Sequence, residues 1–229
     1  MRADAICFDK DGTLFDFAKT WNVWAGQVIA DLADGDTDLH EGIARACGYD
    51  IATESILDHS PIIAATNRQV AESMASAIPG CKVEDIERHL TLTAASAPLA
   101  PAVPLLPFLT DLTRRGIALG VMTNDTEYGA RAHLKSAGVL DRFDFVAGFD
   151  SGYGAKPSPD PLLAFCSSVS AEPARSVMVG DSSHDLRAGR AAGMQTVGVL
   201  TGLAVEADLG PYADVVLPDI GHLTTWLIG

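Results

Sequence analysis

Positive charge is scarce in this 229-residue chain: 16 Lys+Arg stand against 30 Asp+Glu, for a formal net charge of −14. Nucleic acids and anionic membranes are held by clustered Lys and Arg, so neither partner is expected. A small anionic molecule is compatible with this balance if a metal ion or a few placed cations offset the charge. Cysteine is scarce too. Cys7, Cys47, Cys81 and Cys166 are scattered, with no CxxC pair. That spacing describes neither a zinc site nor a disulfide scaffold, and it suits reduced thiols in a cytoplasmic protein. Long apolar runs are missing as well. Charges interrupt every stretch before the roughly 20 residues needed to cross a bilayer. The acidic residues of MRADAICFDKDG stand where a signal peptide needs its apolar core. None of this fixes an oligomeric state.

What the chain does have is apolar content, at 48% hydrophobic residues, with ordinary glycine and proline usage (21 and 12). This rules against disorder and suits one large α/β domain, or one domain carrying a smaller insert. Residues 4–8 (DAICF) form a short apolar run that ends in Asp9-Lys10-Asp11-Gly12, which predicts a buried strand breaking into a turn. From about residue 17 to about 97 the pattern is helical, with no convincing strand. The segments are FAKTWNVWAGQVIADLA, HEGIARACG, NRQVAESMASAI and VEDIERHLTLTAASA. The proline-rich APLAPAVPLLPFL follows as a hinge.

Beyond the hinge, helix and strand alternate. Strands are expected at 117–122, 143–149, 176–180, 195–200 and 213–217, with helices between them and at the C-terminal end. Continuous apolar strands separated by helices predict a doubly wound, mostly parallel α/β sheet covered on both faces, a Rossmann-like core. The polar residues then gather in one kind of place. Asp9 and Asp11, Thr123 and Asn124, and Asp181 each follow the carboxyl end of an expected strand, where such sheets bind ligands. They converge if the first strand lies centrally, between those at 117–122 and 176–180.

Two close carboxylates such as Asp9 and Asp11 resist joint ionisation unless a cation lies between them. With Asp181 nearby, the donors are oxygen-rich and histidine-poor, which favours Mg²⁺ over zinc. One carboxylate can attack an electrophile while its neighbour handles a proton. The same DxDG stretch also suits a turn whose aspartates cap the next helix. Thr123 and Asn124 offer a hydroxyl and amide groups for phosphoryl oxygens, or a helix N-cap. Lys156, between Gly154-Ala155 and Pro157, offers a point cation for a transferring phosphate, or is a solvated loop lysine. Asp181 and Asp185, at i and i+4 across a strand-to-helix junction, suit a metal ligand and its support, or again helix capping. His184, between them, reads as a solvated loop residue.

Taken together, FDKDGTL (8–14), VMTND (121–125), GAKPSPDP (154–161) and VGDSSHD (179–185) resemble the four motifs of the haloacid dehalogenase-like hydrolase superfamily, in the expected order. AGRAAGMQTVGVLTG and ADVVLPDIGHL resemble its phosphoglycolate phosphatase-like branch. The resemblance covers residues 1–16 and 98–229 as an α/β core and makes 17–97 an inserted helical cap. It implies that Asp9 is the nucleophile that becomes phosphorylated, and that Asp11 protonates the leaving group and then activates water. Thr123, Asn124 and Lys156 would bind the phosphoryl group. Asp9, the main-chain carbonyl of Asp11, Asp181 and Asp185 (as ligand or support) would make a Mg²⁺ site. The implied activity is hydrolysis of a small phosphate monoester, phosphoglycolate-like or a sugar phosphate. A sugar phosphomutase and a non-catalytic binding module are the alternatives.

Within that resemblance, Asp11 disfavours a dehalogenase, which lacks an acid there, and an ion pump, which carries threonine. Lys10 departs from the branch's usual apolar residue, and FDFAKTW departs from its acidic-serine pair. In the cap, Arg45, His59, Asn67 and Arg68 are polar candidates for substrate contact, each equally at home as a solvated surface group.

Overall fold

Four consecutive apolar residues, Ala-Ile-Cys-Phe, leave β1 (Ala5–Phe8) no polar face, and all four are buried. A computed structural model describes residues 2–229, and the chain divides into two units: residues 1–17 with 99–229, and residues 18–98.

The segment between the two halves of the first unit carries α1 (Val23–Ala33), α2 (Thr37–Cys47), β2 (Tyr49–Asp50), β3 (Ser55–Ile56), α3 (Pro61–Ala64), α4 (Asn67–Ala75) and α5 (Val83–Ala94). The first unit then resumes with α6 (Leu105–Arg114), β4 (Ala118–Met122), α7 (Glu127–Ser136), β5 (Phe145–Ala147), α8 (Asp160–Ser168) and β6 (Ser176–Gly180). It ends with α9 (Ser183–Ala192), β7 (Gln195–Val199), α10 (Glu206–Leu209), β8 (Val215–Leu217) and α11 (Leu223–Ile228).

In the first unit the six strands are parallel, in the order β5-β4-β1-β6-β7-β8. The sheet is the doubly wound α/β form that the alternation predicts, with β1 in its centre. Side-chain alternation sorts its residues onto two faces. Ile6 and Phe8, with Leu119, Val121, Val177 and Val179, pack against Leu105, Leu109 and Leu112 of α6, Leu134 of α7 and Leu223 of α11. Ala5 and Cys7, with Met122 and Met178, pack against Leu162 and Phe165 of α8 and Ala188 of α9. Phe8 pairs with both Val121 and Val179, so β1, β4 and β6 reach the same edge almost level.

The unit of residues 18–98 has its own apolar core, centred on Trp24, Val28, Ile29, Ile43, Met74 and Leu90. It differs from expectation in two places. The first helical turn, Ala18–Asn22, is wound as a π-helix before α1 begins. A two-residue hairpin, β2 with β3, also interrupts the helices. Its turn is held by the Asp50 carboxylate, which accepts from Ala52 and Thr53 N–H, and it is too short to carry a periodic signature. The chain enters and leaves this segment through a pair of hydrogen bonds within the first unit: Asp16 N–H donates to Ala100 O at 2.8 Å, and Ala102 N–H to Leu14 O at 2.9 Å.

Phe165 lies fully buried against Gly120 of β4, where a Cβ would meet its ring, and beside the ring of Phe145. Phe165→Ala should therefore cost about 3–5 kcal/mol. Urea unfolding checks this, and a loss under about 1 kcal/mol would contradict the packing.

Candidate active site

Asp9 is the first residue beyond β1, and its N–H donates to Val179 O of the neighbouring strand at 2.8 Å, so it stands at the sheet edge without joining a helix. It is buried, and Lys156 Nζ lies 2.5 Å from its Oδ1. Lys156 is therefore no solvated loop lysine: its side chain is 3% exposed, and the same ammonium lies 2.5 Å from Asp185 Oδ1. Burial opposes the lysine's charge, but Asp185 and Asp9 outweigh it and hold Lys156 protonated above its ordinary range.

The loop that carries Lys156 is fixed by Asn124. The Asn124 side-chain amide donates to Lys156 O at 3.0 Å and its Oδ1 accepts from Lys156 N–H at 2.9 Å, a two-point clamp on the backbone of one residue. Thr123 is buried beyond β4, and its hydroxyl oxygen accepts from Asp125 N–H at 3.1 Å. With its acceptor side engaged, the hydroxyl's own proton is directed elsewhere, which suits donation to a phosphoryl oxygen. Neither residue caps α7; Thr126 does, accepting from Gly129 N–H. At the next junction the capping belongs to Ser182 and Asp185, which form a reciprocal box at the start of α9. Asp185 thus divides its oxygens, Oδ2 to Ser182 and Oδ1 to Lys156. His184 is exposed on α9.

Asp181 does not cap. Thr13 Oγ donates to its Oδ1 at 3.3 Å, and two glycines make room for it. A Cβ on Gly12 or on Gly202 would overlap the Asp181 carboxylate, and Gly12 also holds a positive φ of 78°. Thr201 Oγ donates to Gly12 O at 2.6 Å, fastening the turn after β1 to the loop after β7.

Asp9, Asp181 and Asp185 each present an oxygen within 4.8 Å of the others. Burial first, then the neighbouring carboxylates, raise Asp9 to about 7 despite Lys156, and Asp181 well above the usual carboxylate range. One ammonium leaves this buried set with surplus negative charge. Hard oxygen donors with that surplus fit a divalent cation of the Mg²⁺ type. The Asp11 carboxylate stands apart from the trio and pairs with Lys10 Nζ at 2.7 Å.

Lys10, Asp125 and His133 were not legible as site residues. Lys10 is fully buried, and it also meets Asp125 Oδ2 at 3.1 Å and His133 Nδ1 at 2.9 Å. Burial opposes its charge, yet Asp11 and Asp125 raise it above the ordinary lysine range. The one available signal was a charged residue where the resemblance leads one to expect an apolar one. In the other unit Asn67 donates to Glu87 O and Thr91 Oγ, and Arg68 pairs with Glu72, Glu84 and Glu87. Arg45 and His59 line an exposed hollow of about 540 Å³ with Glu41 and Asp50.

Residues 3–193 match the model of the haloacid dehalogenase-like hydrolase family, and the chain belongs to that family. It is similar to phosphoglycolate phosphatase of Rhodospirillum rubrum, 41% identical over 118 residues, which is 51% of this chain and only 48% of that protein's length. It is also similar to pyrophosphatase PpaX of Bacillus velezensis, 28% identical over 97% of both chains. Among solved structures, the HAD phosphatase of Thermococcus onnurineus superposes with a TM-score of 0.63 at 24% identity, over 98% of this chain and 97% of that one. The chain is thus a hydrolase by family, with relatives named as phosphatases. Among the described residues no helix is long and apolar enough to cross a membrane.

Two predictions follow from the crowding and the charge. Gly202→Ala should displace Asp181 and weaken Mg²⁺ binding about tenfold or more, read by calorimetry; unchanged affinity would refute the role of that glycine. In the metal-free protein the folded state disfavours ionised Asp9, which titrates near 7 folded against roughly 4 unfolded. Its contribution is therefore full below about pH 4 and is lost as pH rises toward 7. Mg²⁺ should raise the thermal midpoint more at about pH 7.5 than at about pH 5. Equal stabilisation at both would contradict the surplus charge.

Proposed function

We propose that the protein is a Mg²⁺-dependent phosphatase that hydrolyses a small phosphate monoester through a phospho-aspartyl intermediate at Asp9. The observation that carries this reading is a buried carboxylate held by an ammonium at 2.5 Å, beside two further carboxylates, at the carboxyl edge of a parallel sheet. Ionised Asp9 attacks phosphorus. As the ester P–O bond breaks, Asp11 gives its proton to the departing oxygen. Asp11 then takes a proton from water, whose oxygen attacks phosphorus and releases phosphate and the Asp9 carboxylate. Lys156 neutralises the phosphoryl charge as it passes, the Thr123 hydroxyl donates to a phosphoryl oxygen, and Asn124 contributes by holding Lys156 in place. Asp9, Asp181 and the main-chain carbonyl of Asp11 would ligate the cation, which when bound supplies positive charge to the phosphoryl oxygens. Asp185 supports Lys156, since both its oxygens have partners.

The relatives' names point to phosphoglycolate, another small organic phosphate or pyrophosphate as substrate. We place residues 18–98 as the cap of residues 1–17 and 99–229. The four free cysteines suit a cytoplasmic enzyme.

Phosphate release should be measured from phosphoglycolate, sugar phosphates and pyrophosphate, with Mg²⁺ and with EDTA. Metal-dependent release is expected, and Asp9→Asn should reduce it to background while circular dichroism is retained. Normal turnover by Asp9→Asn would overturn the mechanism. Isomerised sugar phosphate without free phosphate would replace the phosphatase by a mutase.

A further inference from the structure

Lys10 has no part in the steps above, yet its ammonium sits fully buried one residue from the nucleophile. A buried ammonium is costly unless its three N–H bonds find acceptors. Asp11 Oδ2, Asp125 Oδ2 and His133 Nδ1 stand around it at 2.7, 3.1 and 2.9 Å. Donation from the ammonium requires a bare Nδ1, so the proton of the neutral His133 ring is assigned to Nε2.

The three acceptors are not equivalent. Asp125 is fixed from its other oxygen, where Oδ1 accepts from Thr126 N–H at 2.6 Å at the start of α7. His133 lies two turns along that helix, buried and edge-on to Phe15 at 6.4 Å between ring centroids. Ala130 and Leu134 bury α7 in the sheet's core. One acceptor therefore lies on an anchored helix and a second on the turn fastened to its start, while the third, Asp11, lies on the turn that carries the chemistry.

We infer that Lys10 is a positioning residue for Asp11: anchored by Asp125 and His133, it fixes the Asp11 carboxyl group by Oδ2 in the orientation from which its protonated form passes a proton to the leaving-group oxygen. The inference rests on the phosphatase reading above. Orientation within a few tenths of an ångström is what an apolar residue at position 10 would not supply. The proton balance is that already given, from Asp11 to the departing oxygen and from water back to Asp11.

The test uses two substrates: p-nitrophenyl phosphate, whose leaving group departs with little protonation, and an alkyl phosphate that the wild-type enzyme hydrolyses. In Lys10→Met, kcat for the alkyl phosphate should fall about 10²-fold with KM little changed. The first turnover of p-nitrophenyl phosphate should keep its rate, giving a stoichiometric burst of p-nitrophenol before slow water attack. The double variant Lys10→Met/Asp125→Asn removes the ion pair as a unit, should show the same pattern, and carries the test if the single variant does not fold. Equal slowing of the burst and of alkyl phosphate turnover would overturn the positioning role. A wild-type enzyme without Asp9-dependent release from either substrate would instead sink the phosphatase reading itself.

Discussion

A carboxylate is a useful nucleophile only when it is both ionised and dry, and burial pushes against the first of these conditions. In the reaction we propose, the Lys156–Asp9 ion pair is the contact that opposes burial and favours the ionised form of Asp9. Moving an ammonium and a carboxylate out of water costs several kcal/mol for each ion unless their geometry is fixed and their remaining valences are met. Much of the surrounding structure reads as the means of fixing it. The Asn124 amide grips the backbone N–H and C=O of Lys156, and Asp185 holds the same ammonium while its second oxygen closes a helix cap. Neither contact would touch a bound phosphate, yet each determines where the lysine charge stands.

The sheet gives these loops a common floor. Because β4 and β6 pair with β1 in level register, three loops leave one edge together, and a side chain on any of them reaches the others without a long arm. Crowding follows from that economy. Asp181 comes so close to the turn after β1 and to the loop after β7 that glycine is required at both positions. Surplus negative charge is the other result, and a hard divalent cation is the chemical species that relieves it without adding bulk.

The fold was legible because its strands are continuous apolar runs separated by helices, and the four strand-end motifs named the polar residues that meet. Single motifs left their alternatives open until three dimensions decided among them. Lys156 reads equally as a surface residue until its burial is seen. Asp185 turned out to satisfy both readings at once, capping a helix with one oxygen and holding a lysine with the other. Lys10 reads in sequence only as a departure from an apolar residue, because two of its three acceptors lie 115 and 123 residues away, on the turn before one anchored helix and on that helix, and no local pattern encodes such a distance. The β2–β3 hairpin escaped notice for the opposite reason: it is held by one aspartate over a few residues, too few for periodicity to register.

The two hydrogen bonds that tie residues 14–16 to residues 100–102 carry one further consequence. To the sheet, the whole of residues 18–98 is a loop whose two ends are already hydrogen-bonded neighbours. The entropy of closing a loop grows only with the logarithm of its length, so the sheet is nearly indifferent to what hangs from that tie. Evolution can therefore exchange, enlarge or trim the insert as a cassette while the chemistry-bearing edge stays untouched.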